Sequence, residues 1–226
     1  MIKQELVDRS PVRFLEKVTE GGLKAGELGV LSSKKGLGKT SVLVQLGLDK
    51  LLQGKHVVHV SFNQQSNYVM TWYEDIFSEM SKNKKTTDVE KIKEEVMHNR
   101  VILNLSQTVE VTPQIIDTLK ALSANHISIA CVIIDGIDLP KVPVDNLVKM
   151  KAFAKEAGLS VWYSCNTEET QLSKVLGKDE CAQIDAVVHL KQVPGCIDMQ
   201  IVKFHDRTDF NTDLKLDTKT LLISEK

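Results

Sequence analysis

The chain has 226 residues, 42% of them apolar and 26% charged. That is enough to build the core of one ordinary α/β domain and too apolar for wholesale disorder. With 29 basic and 30 acidic residues the net charge is −1, which excludes a global basic coat for nucleic acid.

Residues 1–20 read as a lead-in and residues 21–226 as a single domain. Residues 27–33 read as a strand, and Lys39–Leu52 follows with Val42, Leu43, Leu46 and Leu51 at helical spacing. Gly54 ends that helix, and residues 56–62 form a second strand. Ser66–Met80 reads as a helix, and another starts at Thr87 with Glu90 three residues on as a capping box. Residues 101–105 are a strand. Thr112-Pro113 marks the next helix start, with Ile115, Ile116, Leu119 and Leu122 behind it. Residues 127–135 are nearly continuously apolar and end in an acid, the pattern of a central parallel strand covered on both faces. A helix over Val144–Ala157 and a strand over 159–165 follow. Residues 186–190, 199–204 and 214–223 are strands without intervening helices, so they should pair antiparallel. The expected fold is α/β, a mostly parallel central sheet flanked by helices with antiparallel strands at its C-terminal edge.

No apolar run reaches the roughly 18 residues of a membrane span. The first residues carry Glu5 and no apolar leader stretch, so the expected location is the cytoplasm. The four cysteines, Cys131, Cys165, Cys181 and Cys196, are widely spaced and fit reduced thiols. The histidines show no metal-ligand spacing, and no structural metal is expected.

The strongest chemical signal is Ser33-Lys34-Lys35-Gly36-Leu37-Gly38-Lys39-Thr40-Ser41, placed between a strand and a helix. Glycines there let successive backbone N–H groups converge on one anion, and the helix adds its positive end. Lys39 would neutralise phosphate, and Thr40 offers a hydroxyl to Mg²⁺. The usual motif begins with Gly, and Ser33 stands in its place. Asp135, closing its apolar strand, is the acid expected to hold the hydration shell of that Mg²⁺.

With these residues placed, the chain resembles the RecA-like P-loop ATPases, in their KaiC-like and DnaB-like branch. Gly21-Gly22-Leu23-Lys24-Ala25-Gly26-Glu27-Leu28 is similar to that family's lead-in to the first strand. The resemblance implies ATP and Mg²⁺ as ligands and Asn166 as a sensor of the terminal phosphate. It also implies Lys203 and Arg207 as a finger acting on a neighbouring subunit, although Arg207 falls two residues late. Family members that hydrolyse ATP carry Glu just after the second strand. Here the stretch is Asn63-Gln64-Gln65, and Gln64 and Gln65 offer only amides. An amide orients water but cannot take its proton, so weak or absent hydrolysis is expected.

The implied function is a nucleotide-dependent regulatory or assembly module, with a homo-oligomer, ring or dimer, and a protein partner left open. Other readings stand beside it: an active ATPase, a nucleotide-free scaffold, and a DNA recombination accessory factor. The Lys34-containing loop also resembles that of the MinD/ParA ATPases, where an extra Lys reaches a partner's phosphates. The acidic balance of residues 167–182 argues against nucleic acid, and nothing points to a membrane. Trp72 and Tyr73 fit core packing better than a platform for adenine.

Overall fold

The computed structural model describes residues 2–62, 65–82, 87–108, 110–208, 210 and 212–226. Among these, nine strands form one sheet. They are β1 (Leu28–Ser33), β2 (His56–Ser61), β3 (Arg100–Asn104), β4 (Ile129–Asp135), β5 (Ser160–Asn166), β6 (Ala186–Val193), β7 (Cys196–Phe204), β8 (Leu214–Leu216) and β9 (Ile223–Glu225). Their order across the sheet is β3-β2-β4-β5-β1-β6-β7-β8-β9. Pairing is parallel from β3 through β6 and antiparallel from β6 onward, as the helix-free C-terminal stretch predicts.

Alternation along each strand feeds two cores. Leu31, Val57 and Ile133 face one side, under α3 (Lys39–Leu52), α4 (Ser66–Met80) and α5 (Thr87–His98). Val30, Val58, Val132 and Ile134 face the other, under α6 (Val111–Ala124) and α7 (Val144–Ala157). Both faces of the central strands are therefore covered, which is why their sequences read as near-continuous apolar runs. The helices after β1 and β4 leave to opposite faces, so a crevice opens at the strands' C-terminal ends, where ligands of such sheets bind.

The first twenty residues fold into α1 (Ile2–Asp8) and α2 (Val12–Val18). Leu6, Val12 and Leu15 are buried in the core beneath α3, and Arg13 pairs with Asp49 of that helix. They belong to the packed body rather than leading into it. The last expected strand, 214–223, is divided: β8 and β9 form a hairpin around a turn. Asp217 makes that turn. Its carboxylate accepts from the backbone N–H of Lys219 at 2.9 Å and of Thr220 at 2.8 Å, a side-chain-capped reversal that needs neither Gly nor Pro. The sixth helix begins at Val111, one residue before the expected cap at Thr112.

All four cysteines are free thiols. Among the described residues, no helix is long and apolar enough to cross a membrane.

Candidate functional site

The parallel register brings the C-terminal ends of four strands to one level. Ser61 lies opposite Asp135, and Ser33 lies opposite Asn166. The loop from Lys34 to Gly38 rises from β1 beside them and enters α3. Gly36 and Gly38 sit at φ values of +86° and +89°, a conformation costly for any residue with a side chain. A Cβ on Gly36 would meet open space, so its backbone is free for close approach by a ligand. At Gly38 the Leu216 side chain fills the space a Cβ would need. The hairpin β8–β9 thus seats directly against the loop.

A cavity of about 340 Å³ lies over this edge. The loop residues Lys35 to Thr40 form its floor, with Ser61, Asp135, Gly136, Ser164 and Asn166 from the strand ends. Trp72 of α4 closes one wall, and Ile197 and Leu221 close another.

Lys39 is only 8% exposed. Its ammonium donates to the Ser33 carbonyl at 3.1 Å, the Ser33 hydroxyl at 3.0 Å and the Lys34 carbonyl at 3.1 Å. Ser33, standing where the motif has Gly, therefore adds an acceptor that fixes the lysine. Among the described residues no carboxylate lies within ion-pair distance of this ammonium. Burial pushes the Lys39 pKa below the ordinary lysine value, and nearby Asp135 pulls it back up.

Thr40 donates its hydroxyl to Asp135 at 2.7 Å. Asp135, also 8% exposed, is the one carboxylate lining the cavity among the described residues. Beside it the Gly136 N–H donates to the Ser164 hydroxyl at 2.7 Å, which fixes the backbone just past the acid. Two oxygen ligands at this separation, one ionisable, match what a hard cation such as Mg²⁺ takes from a protein alongside phosphate oxygens.

The other expected residues divide. Asn166 lines the cavity. Lys35, Gly36, Leu37 and Gly38 do too, whereas the exposed Lys34 ammonium pairs with Glu168 at 3.1 Å on the loop after β5. Ser41 is fully buried and does not line the cavity: its hydroxyl donates to the Leu221 carbonyl at 2.6 Å. Gln45, one turn on, donates to the same carbonyl at 2.8 Å and accepts from the Ile223 N–H at 2.9 Å. Ser41 and Gln45 thus clamp the C-terminal hairpin onto α3. Gln65 is exposed at the start of α4, and Gln64 lies outside the described residues. Glu74 is turned toward Lys93 of α5, at 3.7 Å.

Lys203 and Arg207 are not brought to the loop of their own chain. Lys203 pairs with Val187, which lies beside Val30 in the middle of β1, and its ammonium donates to the Ile184 carbonyl at 2.6 Å, toward the strand's beginning. Arg207 donates to Glu20 at 2.7 Å and stacks over the Phe210 ring. Any contact of theirs with phosphate would require a second copy of the chain.

Ser164, Leu221 and Gln45 escaped sequence reasoning, and Trp72, expected with Tyr73 in core packing, packs against the core but also lines the cavity. Ser164 sits two residues before Asn166 and so shares a side of β5 with it, a signal that was present. Tyr73 is fully buried, with its hydroxyl 3.3 Å from Nδ1 of His59. Its neighbour Trp72 is the one that reaches the cavity. Compared with known proteins, the chain matches no family model and no characterised sequence.

Proposed function

We propose that this chain is a RecA-like nucleotide-binding protein that takes ATP with Mg²⁺ on the glycine-bent loop after β1 and turns it over slowly or not at all. The carrying observation is Lys39: a buried cation whose partners are all neutral oxygens. A buried charge without a counter-charge is costly, and a phosphate with its several anionic oxygens supplies what is missing. The loop's open Gly36 and the N-terminus of α3 add backbone donors to the same anion.

Lys39 would bind the outer phosphates, and Thr40 would give its hydroxyl to Mg²⁺, with Asp135 holding the metal's hydration shell. When bound, the cation supplies neutralisation of phosphate charge. Asn166, level with Ser33 and on the same cavity, is suited to register whether a terminal phosphate is present. The apolar pair Ile197 and Leu221 offers a surface to the nucleoside and no group that reads its base.

Slow turnover follows from the shortage of bases. Asp135 is engaged with Thr40, Glu74 faces α5, and amides follow β2. Lack of a general base removes on the order of 10²- to 10⁴-fold in rate. Binding without brisk hydrolysis suits a module whose conformation or subunit contacts depend on nucleotide. Calorimetric titration with Mg·ATP, beside a phosphate-release assay, tests this. Saturable binding with release near background is expected. Absence of binding refutes the reading, and rapid turnover refutes its catalytic half.

A further inference from the structure

The strand order gives the cavity two unlike ends. On one side of β1 lie β5, β4 and β2, which bring Asp135 and Ser61 to the rim near Thr40. On the other lie β6 and β7, which with the turn before β9 bring Ile197 and Leu221. The first end is polar and holds the hydroxyl–carboxylate pair suited to a cation. The second is apolar and suited to a nucleoside. A triphosphate bridging them therefore points its terminal phosphate toward Ser61 and Asp135.

Trp72 belongs to the polar end. It lies in the second turn of α4, which follows β2 and packs on α3 and β3. Its indole Nε1–H is shielded from solvent and has no acceptor among the described residues. Buried donors of native proteins are nearly always paired, and an orphan asks for a partner that the described residues do not supply. The cavity that Trp72 lines is where an anion is expected.

We infer that the Trp72 indole N–H donates a hydrogen bond to the terminal phosphate of bound Mg·ATP, making this side chain a positioning residue that distinguishes ATP from ADP. The inference rests on the nucleotide reading proposed above. It also agrees with slow turnover, because an indole donates only and cannot take a proton from water.

The test uses the full chain, intact and as Trp72→Phe, which keeps an aromatic ring but lacks the donor. Each is titrated calorimetrically with Mg·ATP and Mg·ADP. A hydrogen bond to a charged group predicts at least about a tenfold loss of ATP affinity in the variant, with ADP affinity unchanged within about twofold. Independently of the variant's folding, the assigned indole cross-peak of Trp72 in ¹⁵N-labelled intact protein should shift on saturation with Mg·ATP and stay in place with Mg·ADP. Trp162, buried in the core, supplies the reference peak. A variant that retains the intact ATP-to-ADP ratio overturns the inference, as does a Trp72 peak unmoved in protein that binds ATP. An intact chain that binds neither nucleotide overturns the nucleotide reading itself, a result distinct from both.

Discussion

Replacing Lys39 by Met separates what the lysine does for the fold from what it does for a ligand. The two side chains are similarly long, but Met carries no charge into the buried site. Burying Met is worth about 1.5–3 kcal/mol. Against this stands the loss of three hydrogen bonds to Ser33 and Lys34, at about 0.5–1.5 kcal/mol each. The lysine's lowered pKa says that its charge is itself held at a cost, so removing it offsets part of that loss. The unliganded variant should therefore melt within about 2–4 °C of the intact chain, the equivalent of about 1 kcal/mol at this size. With Mg·ATP at about 100 times its Kd, the intact chain gains about 2.7 kcal/mol, or about 5–11 °C. Loss of the lysine–phosphate contact, at about 1.5–3 kcal/mol, weakens binding about 10- to 150-fold and leaves about 0.3–1.4 kcal/mol at the same concentration. Differential scanning fluorimetry with and without nucleotide measures both numbers. A ligand shift that survives intact in the variant refutes the assignment of Lys39 to phosphate. A collapse of the unliganded melting point by more than about 10 °C refutes the view of its charge as awaiting an anion.

Two further outcomes follow from buried polar groups. Gln45→Met deprives the Ile223 N–H of its acceptor and the Leu221 carbonyl of a donor, and should cost about 2–3 kcal/mol, read as a melting decrease of about 4–12 °C; a shift under about 1 °C would show that the clamp is not needed. His59 is fully buried between β3 and β4, and burial lowers its pKa from 6.5 to about 4, with Arg100 pushing the same way and Asp135 opposing. The folded state then refuses a proton that the unfolded state accepts, so stability falls as pH drops from about 6.5 to about 4, by up to about 3 kcal/mol. Urea unfolding across that range should show a steeper decline for the intact chain than for His59→Phe, and equal slopes would assign the acid sensitivity elsewhere.

Much of the parallel half was legible because each of its elements announces itself by a short-range pattern. The loop and α3 were placed within a residue, since Gly36, Gly38 and Gly54 punctuate a clean helical period. Asp135 was found because four apolar residues precede it on a strand covered on both sides. The C-terminal hairpin was misread for a physical reason. Leu214, Leu216, Leu221, Leu222 and Ile223 look like one apolar strand, and the reversal between them is made by the Asp217 side chain and by Leu221 at φ +55° rather than by Gly. The role of Ser41 was misjudged with it. Its hydroxyl follows the loop in sequence, but its acceptor lies 180 residues away and becomes visible only when β9 is docked. Trp72 was hidden in another way: α4 shows an apolar face, and periodicity alone does not say which of two adjacent aromatics is the buried one.

The clasp that Ser41 and Gln45 make with residues 221–223 has a consequence for biosynthesis. A chain emerging from the ribosome exposes its glycine loop early, yet the wall beside that loop waits for a segment 180 residues further on. Nascent intermediates lacking them would present Leu216's seat and the flank of α3 bare to solvent, with the ligand cleft half built. On the proposed reading, competence for nucleotide would then arrive late and abruptly, once residue 223 has emerged from the ribosome and docked on α3.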